Sequence, residues 1–539
     1  MGCSPHVSLM LIILAFTLVN QALVCLGQPG TWQLLLENAG IASMHTAVTH
    51  YGTVVFLDRT DIGASQINLP NGECRNDPND AVLTHDCTAH SVEFTPGPNT
   101  VRPLTIQTDT WCSSGAFRAD GTLVQTGGDA DGAQRIRYFA PCAPGGTCDW
   151  VEDAQTHLQM RRWYASNQLL ADGTVLIVGG QGVFSYEFVP PQQSDAQVSL
   201  PFLQATLKAP GDEDNLYPFV HMLPNGNLFI FARRDSILLD VSSGAVLQNY
   251  PTMPGTEARN YPATGSSVML PLDSANGFTT ATILVCGGGN ENAFSNPQAQ
   301  LPASSTCGLL EATATNPQWT MLNMPFQRTM GDMLLLPDGR TLLINGAQSG
   351  SAGWGLASNP TLNPVAFNPV DSSFEVQAAT TIPRVYHSTA VLLPDTRVLV
   401  AGSNTHEFYT FTQPFPTELR VEAFSPQYVD DSFNSQRPTV MVAPAAVGYG
   451  QNFTLTVAVP APQGAFQLRL SNAPFTTHSF AQGQRQLVLP IHEVVITGPN
   501  QYTIFSSGPP NTNIAPSAYY MLFPVQNGIP GTATWVQIS

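Results

Sequence analysis

A short phrase that recurs along the chain constrains its fold more than any other feature. Each copy has a few apolar residues, a turn that is usually Asp-Gly or Asn-Gly, and an apolar run that ends in or near glycine. The clearest copies turn at Gly121, Gly173, Gly226 and Gly339, and further copies run over residues 45–58, 268–289 and 392–402. Asp-Gly between two apolar runs predicts a β-hairpin, because its turn needs the positive φ that glycine adopts readily. The phrase therefore predicts a series of hairpins.

The spacing of the copies predicts how the hairpins assemble. Gly121 and Gly173 are 52 residues apart, and Gly173 and Gly226 are 53 apart, close to the period of about 50 residues of a kelch blade. Seven copies predict seven four-stranded blades, whose ring buries a large core and exposes only short edges. Residues 32–35 and 419–422 are the candidates for closing the ring, one from each end.

The phrase stops after about residue 430, and many short strand-like runs follow in about a hundred residues. Such a pattern predicts a separate β-sandwich of immunoglobulin-like size. The sequence therefore predicts an all-β protein with a seven-bladed kelch-type β-propeller over residues 28–432 and a C-terminal β-sandwich over residues 433–539.

Residues 1–27 have the pattern of an export signal, with an apolar run from Leu9 to Phe16 followed by smaller and polar residues. We therefore expect a secreted, extracellular protein, with the cell wall as a candidate location, and a monomer. Only 11% of the residues are charged, the net charge is −18, and Lys208 is the single lysine. This composition argues against nucleic acid and anionic membranes as partners.

The cysteines fit an oxidising compartment. Beyond the signal, three short-range pairs are each able to close one loop, although spacing alone leaves the connectivity open: Cys74 with Cys87, Cys142 with Cys148, and Cys286 with Cys307. Cys112 remains, and one explanation for it is a buried free thiol or an intermolecular bridge. A single glycosylation sequon begins at Asn452.

Five residues are candidates for the chemistry: Cys112, Tyr164, Tyr386, His387 and His478. Taken singly, each has an ordinary reading, such as a half-buried aromatic or a polar loop residue. Tyr386 and His387 are adjacent, so both can reach one metal only where the backbone is irregular. One thiol, two phenols and two imidazoles on a repeat scaffold indicate a copper site with an amino-acid radical.

These residues occur as Trp-Cys-Ser before one blade, Arg-Trp-Tyr-Ala before the next, Tyr-His-Ser later, and Thr-His-Ser in the C-terminal domain. The set, in this order and over nearly the whole chain, resembles the galactose oxidase/glyoxal oxidase family of copper radical oxidases, particularly its plant-type glyoxal oxidases. The resemblance implies that simple aldehydes are oxidised to carboxylic acids while O2 is reduced to H2O2.

The resemblance also implies a role for each residue. Cys112 would be joined by a thioether to Tyr164, which would bind copper and hold the radical. His387 and His478 would be the imidazole ligands, and Tyr386 the axial phenolate and proton acceptor. Two imidazoles, two phenol oxygens and one open position suit Cu(II), whereas structural zinc favours closed tetrahedral sites.

One feature departs from galactose oxidase, which carries a tryptophan about eighteen residues after the cross-linked tyrosine. That region here lacks tryptophan, and Phe184 is either a partial substitute or an ordinary blade residue. Two other functions stay open: an oxidase of primary alcohols such as galactose, and an inactive kelch-type cell-wall binding protein. His85, Cys87 and His90 have metal-like spacing, although Cys87 is expected to pair with Cys74, and the His-x-His pairs of multicopper oxidases are absent from the sequence.

Overall fold

The computed structural model describes residues 28–190, 197–209 and 213–539. The predicted export signal, residues 1–27, lies outside these ranges. Within them, no helix combines the length and the apolar character needed to cross a membrane.

The first four sheets of the described residues each contain a four-stranded antiparallel meander, and in sheet 1 two further strands, described below, join the inner edge. Their strands, from the innermost outward, are His45–Val48, Val54–Leu57, Ser91–Thr95 and Thr100–Leu104 in sheet 1; Ser114–Phe117, Leu123–Thr126, Arg135–Phe139 and Trp150–His157 in sheet 2; Ser166–Leu169, Val175–Val178, Ser185–Val189 and Val198–Ser199 in sheet 3; and Phe219–Met222, Leu228–Ala232, Asp235–Asp240 and Ala245–Asn249 in sheet 4.

Three more sheets of the same kind follow in the described chain. Their strands are Gly265–Met269, Thr282–Gly287, Thr306–Glu311 and Thr320–Asn323 in sheet 5; Asp332–Leu335, Thr341–Ile344, Val365–Asn368 and Ser373–Val376 in sheet 6; and Thr389–Leu392, Val398–Ala401, Val421–Ser425 and Thr31–Leu36 in sheet 7. The outer strand of sheet 7 comes from the N-terminal end, where Leu34 pairs with Glu422. The two ends of the propeller thus join in one sheet, as the sequence predicts.

The C-terminal strands form a two-layer β-sandwich. One layer has Thr439–Val442, Asn452–Ala458, Gln501–Ser507 and Ile491–Gly498; the other has Leu272–Asp273, Gln486–Leu489, Phe466–Asn472, Ala518–Gln526, Thr534–Ile538 and Ala446–Val447, with Ile529–Pro530 beside it. The predicted fold, a β-propeller followed by an immunoglobulin-like sandwich, is confirmed. The predicted boundary near residue 432 falls between Ser425, where sheet 7 ends, and Thr439, where the sandwich begins.

The remaining described elements are short. Two-stranded ribbons are Arg75–Asn76 with His85–Asp86 and Ala347–Gly350 with Ala357–Pro360, and the α-helix is Pro201–Ala205. The 3-10 turns are Thr60–Ile62, Pro70–Gly72, Ala130–Gly132, Ser274–Asn276, Pro297–Ala299, Gln427–Val429 and Asp431–Phe433. The three expected disulfides are present, and Cys112 is a buried free thiol.

A hairpin from the sandwich fills the centre of the ring. Its strands, Phe475–Thr477 and Phe480–Gln482, are buried throughout, and we call this element the axial hairpin. Its first strand pairs with the inner strand of sheet 1 and contacts sheets 2 and 7; its second strand contacts sheets 2 to 6. The second strands of sheets 3 and 7, Val175–Val178 and Val398–Ala401, are apolar and buried throughout, as expected for strands covered on both faces.

Buried arginines hold the inner ends of the sheets in place. Arg162, Arg259, Arg328 and Arg384 each precede an inner strand and donate from Nη1 to a carbonyl at the end of the second strand of the same sheet. Each guanidinium thus satisfies carbonyl groups that lie beyond the last rung of the ladder. These contacts fix the loops between arginine and inner strand, and two of those loops carry the candidate residues Tyr164, Tyr386 and His387.

Candidate metal centre

The five residues that the sequence singles out meet at one end of the axial hairpin. Cys112 and Tyr164 each stand two residues before an inner strand, in sheets 2 and 3, and Tyr386 and His387 precede that of sheet 7. His478 lies in the turn of the axial hairpin, between Thr477 and Phe480. The Sγ of Cys112 and the nearest nitrogens of His387 and His478 all lie within 4.8 Å of one another.

The backbone of these loops is unusual. Cys112, Tyr164, His387 and His478 have φ of 51°, 65°, 61° and 45°, a region that costs energy for residues other than glycine. The loops are linked, since the Tyr164 N–H donates to the Cys112 carbonyl at 2.9 Å. At His387 this conformation supplies the irregular backbone expected after Tyr386, and the two adjacent rings stack with centroids 3.8 Å apart.

Both imidazoles are buried and neutral. Burial lowers the pKa of His387 well below its usual value, with His478 adding to the shift. Neither ring nitrogen of His387 has a hydrogen-bond partner among the described residues. Burial likewise lowers the pKa of His478, whose Nε2 lies 3.2 Å from the Cys112 Sγ. A buried, neutral imidazole without a partner is the form in which histidine binds a metal.

Three phenols line the same space. The Tyr164 hydroxyl donates to the Tyr261 hydroxyl at 3.2 Å, and the Tyr261 and Tyr386 hydroxyls are 3.0 Å apart. Burial raises the pKa of Tyr164 and Tyr386 well above the usual value, and neighbouring thiol and phenol groups add to the shift. Without a cation nearby, the phenols therefore stay protonated.

The thiol lies beside the phenol that it is expected to modify. Cys112 is fully buried. Burial raises the pKa of its thiol well above the usual value, and the interaction with the Tyr164 side chain, which lowers the pKa, is the smaller effect. The sulfur is therefore held as a protonated thiol rather than as a reactive thiolate. The Tyr164 phenol and the His478 imidazole are polar side chains that interact with this sulfur.

This set fits copper. Neutral imidazole nitrogens and phenol oxygens are ligands that Cu(II) accepts, and the orphaned nitrogens of His387 supply a specific reason for a cation at this point. His387, His478, Tyr164 and Tyr386 are the residues that would hold it. A bound cation would also remove the energetic cost of these buried, unpartnered groups.

Tyr261 is a member of this site that the sequence analysis missed. Its ring stacks on that of Tyr164, with centroids 4.5 Å apart and an interplanar angle of 27°. One signal was available, because Arg259-Asn260-Tyr261 repeats the Arg-x-Tyr pattern that precedes sheets 3 and 7 at Tyr164 and Tyr386. The stacking position therefore belongs to a residue before sheet 5.

Phe184 does not take the place of the missing tryptophan and is the ordinary blade residue of the other reading. Its side chain lies against the apolar cluster between sheets 3 and 4, which includes Val178, Tyr186 and Val220, and not in the cluster around Tyr164. The sequence spacing indicated an aromatic ring stacked on Tyr164 from sheet 3, whereas the ring that stacks there is Tyr261, which precedes sheet 5.

Further aromatic rings surround Tyr164 on its outer side. The ring centroid of Trp163 lies 4.6 Å from that of Tyr164 and 5.0 Å from that of Trp111. The Trp111 ring stacks on the Trp354 ring, with centroids 5.3 Å apart. The guanidinium carbon of Arg59 lies 4.7 and 4.9 Å from the Trp111 and Trp354 rings. These partly buried rings form a wall that keeps water from Tyr164.

The second metal-like group in the sequence does not form a site. Cys87 is bonded to Cys74, so its sulfur is already used, and the His90 Nε2 hydrogen-bonds Asp86 at 2.6 Å. The His85 Nδ1 lies 2.7 Å from Asn76, and its Nε2 lies 3.6 Å from the sulfur of Cys87, which the disulfide already uses. The described geometry therefore supports the centre at the axial hairpin.

A β-propeller whose axis holds buried imidazoles, phenols and one thiol next to a phenol has the features of a copper radical oxidase. A family model described as "Glyoxal oxidase N-terminus" matches residues 44–428, and one described as "Galactose oxidase-like, Early set domain" matches residues 437–538. The chain belongs to the glyoxal oxidase family, as its sequence motifs predict.

Relatives with curated names agree with this assignment. Aldehyde oxidase GLOX of Vitis pseudoreticulata is 50% identical over 97% of this chain and 99% of the relative, and Aldehyde oxidase GLOX1 of Arabidopsis thaliana is 38% identical over 95% and 85%. A solved structure of a fungal alcohol oxidase in complex with copper superposes with a TM-score of 0.72 at 18% identity, covering 95% of this chain and 99% of that one. The last comparison bears on the fold alone.

Proposed function

We propose that this protein oxidises simple aldehydes to carboxylic acids and passes the electrons to O2, forming H2O2. The observation that carries the proposal is the buried set around His387, whose two nitrogens lack partners beside a thiol, two phenols and a second imidazole. The relatives named aldehyde oxidase support the substrate class.

Each residue has a role that follows from its position. Tyr164 and Cys112 lie in the same buried cluster, and their side chains interact. We therefore assign them a carbon–sulfur bond that replaces one ring C–H and the S–H, with O2 taking both hydrogens and both electrons. Sulfur substitution makes the phenol easier to oxidise, and the Tyr164 ring then holds a radical. Copper, when bound by the two histidines and two tyrosines, would supply one-electron redox chemistry.

Different residues accept the proton and the hydrogen atom that the substrate loses. An aldehyde hydrate loses two protons and two electrons as it becomes the acid. Tyr386, which would be a phenolate when copper is bound, would accept the O–H proton as general base, and oxidised Tyr164 would accept the C–H hydrogen atom, which carries one of the electrons. The other electron is the one that bound copper would take up. The carboxylic acid results, and O2 is reduced to H2O2 as Tyr164 is reoxidised. The Trp111, Trp163 and Trp354 wall excludes water from Tyr164 during this step.

Peptide mass mapping of copper-loaded, fully reduced and alkylated protein tests the cofactor. We expect the Cys112 and Tyr164 peptides to be joined and lighter by two hydrogens. An alkylated Cys112 and an unmodified Tyr164 in copper-bound protein would overturn the mechanism and leave a kelch-type binding protein. A panel of aldehydes, primary alcohols and galactose, read by peroxide formation, separates aldehyde from alcohol oxidation.

The ligand assignment has its own test. His478→Ala should lose copper, the radical signal and turnover together, and a variant that keeps all three contradicts the assignment.

The three disulfides support an extracellular location, since such bonds persist in oxidising compartments. We therefore place the protein outside the cell, and the location of a tagged full-length chain checks this.

A further inference from the structure

We propose that His45 and Thr477 are positioning residues that fix His478 in its Nδ1–H form, which leaves Nε2 free to bind the metal. Three hydrogen bonds carry this inference, and they run from the Thr110 carbonyl through His45 and Thr477 to His478. We call this chain of contacts the tautomer relay. The inference rests on the proposed function only in assigning a metal to His478.

The first contact fixes the proton on His45. Its Nε2 lies 2.9 Å from the Thr110 carbonyl oxygen, which can only accept a hydrogen bond, so Nε2 carries the hydrogen. The Ser113 hydroxyl lies 3.1 Å from the same nitrogen. If Nε2 had no hydrogen and accepted one from Ser113 instead, the lone pair of Nε2 would also face a lone pair of the Thr110 carbonyl oxygen. That contact would be repulsive.

Ser113 is itself held as an acceptor. The Gln125 Nε2 donates to the Ser113 Oγ, and the Gln125 Oε1 accepts from the Arg137 guanidinium at 2.6 Å. Because a guanidinium only donates, it fixes which end of the Gln125 amide is oxygen. The Thr110 carbonyl, which can only accept, therefore decides for Nε2–H on His45, and Ser113 has a second lone pair that can accept from it. Since the ring is neutral, its Nδ1 has a free lone pair.

The second contact orients the Thr477 hydroxyl. Its Oγ1 lies 2.7 Å from the His45 Nδ1 and 2.6 Å from the His478 Nδ1. A hydroxyl has one hydrogen, and the bare His45 Nδ1 accepts it. Two other acceptors lie nearby, the Met44 carbonyl at the longer distance of 3.3 Å and the Tyr217 phenol oxygen, but a Thr477 hydrogen turned to either would leave the bare His45 Nδ1 facing a lone pair of the Thr477 oxygen at 2.7 Å.

The third contact then fixes His478. Because the Thr477 hydrogen points to His45, the Thr477 oxygen can only accept from His478, so the hydrogen of His478 sits on Nδ1. Its Nε2 is bare and faces the Cys112 Sγ at 3.2 Å, a protonated thiol that can donate. A histidine that binds a metal through one nitrogen usually has its other nitrogen held by such a partner.

The relay is rigid and joins both domains. His45 is in the inner strand of sheet 1 and Thr477 in the axial hairpin, and the two residues pair directly in the ladder between these strands. Both side chains are fully buried, so no water competes for the hydrogen bonds. The orientation of His478 is therefore set by sheet 1 as much as by its own hairpin.

The test compares Thr477→Val with Thr477→Ser. Valine has the shape of threonine but no hydroxyl, whereas serine keeps the hydroxyl and loses a methyl group. In metal-free protein labelled with 15N-histidine, the His478 signals, assigned by their loss in His478→Gln, report which nitrogen is protonated. We expect protonated Nδ1 and bare Nε2 in the wild type and in Thr477→Ser, and loss of this form in Thr477→Val.

Copper affinity supplies the second measurement. Removing a group that orients a metal ligand typically weakens binding by about 10- to 100-fold, and we expect this for Thr477→Val with little change for Thr477→Ser. Equal weakening in both variants would show a packing effect and overturn the relay, as would protonated Nε2 in the wild type. Unchanged affinity in folded Thr477→Val would overturn it as well.

A second variant covers the case in which Thr477→Val does not fold. In His45→Phe the Thr477 hydroxyl loses its acceptor and becomes free to donate to the His478 Nδ1, so the hydrogen of His478 should move to Nε2. An unchanged His478 spectrum in this variant would overturn the relay. A wild type that binds no copper but shows bare Nε2 would contradict the proposed function and leave the relay in place.

Discussion

Tyr261 touches both proposed phenol ligands, and its hydroxyl and its ring affect different properties of the site. The hydroxyl bridges Tyr164 and Tyr386, and the ring covers the face of Tyr164. Conservative substitutions separate the two contributions, because phenylalanine removes the hydroxyl and keeps the ring.

We expect Tyr261→Phe to lower kcat by roughly tenfold, since each lost hydrogen bond is worth about 1 kcal/mol. The radical signal of oxidised Tyr164 should keep its lifetime, because the stacked ring remains. Steady-state peroxide formation and the decay of the radical signal measure the two effects. Tyr217→Phe is the matched control, since the Tyr217 hydroxyl donates to the Ser113 carbonyl and not to these phenols.

Tyr261→Leu should shorten the lifetime of the radical as well, because it removes a ring contact worth about 0.5–1.5 kcal/mol. A radical lifetime that is the same in the phenylalanine and leucine variants would contradict a role for the ring.

The sequence was most informative about residues with unusual chemistry. Cys112, Tyr164, Tyr386, His387 and His478 stand beside strand starts, and the structure brings all five together. The partners that orient them were not predictable, because His45 and Thr477 are 432 positions apart and look like ordinary strand residues. Their importance comes from a ladder between two domains, which no local pattern encodes.

At the scale of the element, the axial hairpin depends on one close approach. Gly115 in the inner strand of sheet 2 lies against the Phe475 ring, and a Cβ on Gly115 would be 2.6 Å from a ring carbon. Glycine is therefore required by space at this point, and the ring of Phe475 fits because its neighbour has no side chain.

We expect Gly115→Ala to destabilise the protein by about 1–3 kcal/mol, the usual cost of overpacking, and to weaken copper binding through the displaced hairpin. Denaturant unfolding and copper titration measure these effects. Phe475→Leu should restore part of the loss when combined with Gly115→Ala, because it returns space to the same contact. Strictly additive effects of the two changes would contradict this explanation.

The loops before the inner strands depend on the buried arginines. The Arg162 Nε donates to Glu187 at 2.8 Å, and its Nη1 donates to the Gly179 and Ser185 carbonyls, each also at 2.8 Å. The arginine is fully buried, so its removal leaves a buried carboxylate without its partner.

We expect Arg162→Met to cost about 3–5 kcal/mol of unfolding free energy, as is typical when one partner of a buried ion pair is removed. Arg161→Met is the control, because that neighbouring side chain is 62% exposed and surface ion pairs contribute little. Chemical denaturation of both variants decides the matter, and similar losses in the two would refute the explanation.

The whole molecule has a dependence on acidity that comes from histidines buried in neutral form. Burial, with Arg485 adding to it, lowers the pKa of His221 to about 3, whereas an unfolded histidine titrates near 6.5. Between these values only the unfolded chain binds the proton. This part of the stability is complete above pH 6.5 and is lost as the pH falls towards 3.

His221→Gln isolates this contribution, because glutamine can bond the Ser267 hydroxyl, which lies 2.8 Å from the His221 Nε2, without titrating. We expect the stability advantage of the wild type over the variant to shrink by about 1.4 kcal/mol per pH unit between pH 6 and 4. Urea unfolding of metal-free protein at several pH values measures it, and parallel pH curves would contradict it.

Much of the architecture could be predicted because its signals are local. The turn phrase marks the hairpins of sheets 2, 3, 4 and 6, and the strand-like runs after residue 430 mark the sandwich. The insertion of residues 475–482 into the ring could not be read in this way. Those residues have the composition of any short hairpin. Their position depends on contacts with several sheets that come together only when the ring has formed.

The position of the axial hairpin has a consequence for protein synthesis. A ribosome completes Cys112, Tyr164 and even His387 long before it reaches His478, so a nascent or truncated chain that ends before the hairpin lacks one imidazole and the plug of the ring. The full set of groups exists only after synthesis has passed the axial hairpin. A chain that stops before residue 478 thus lacks a group that the proposed formation of peroxide needs.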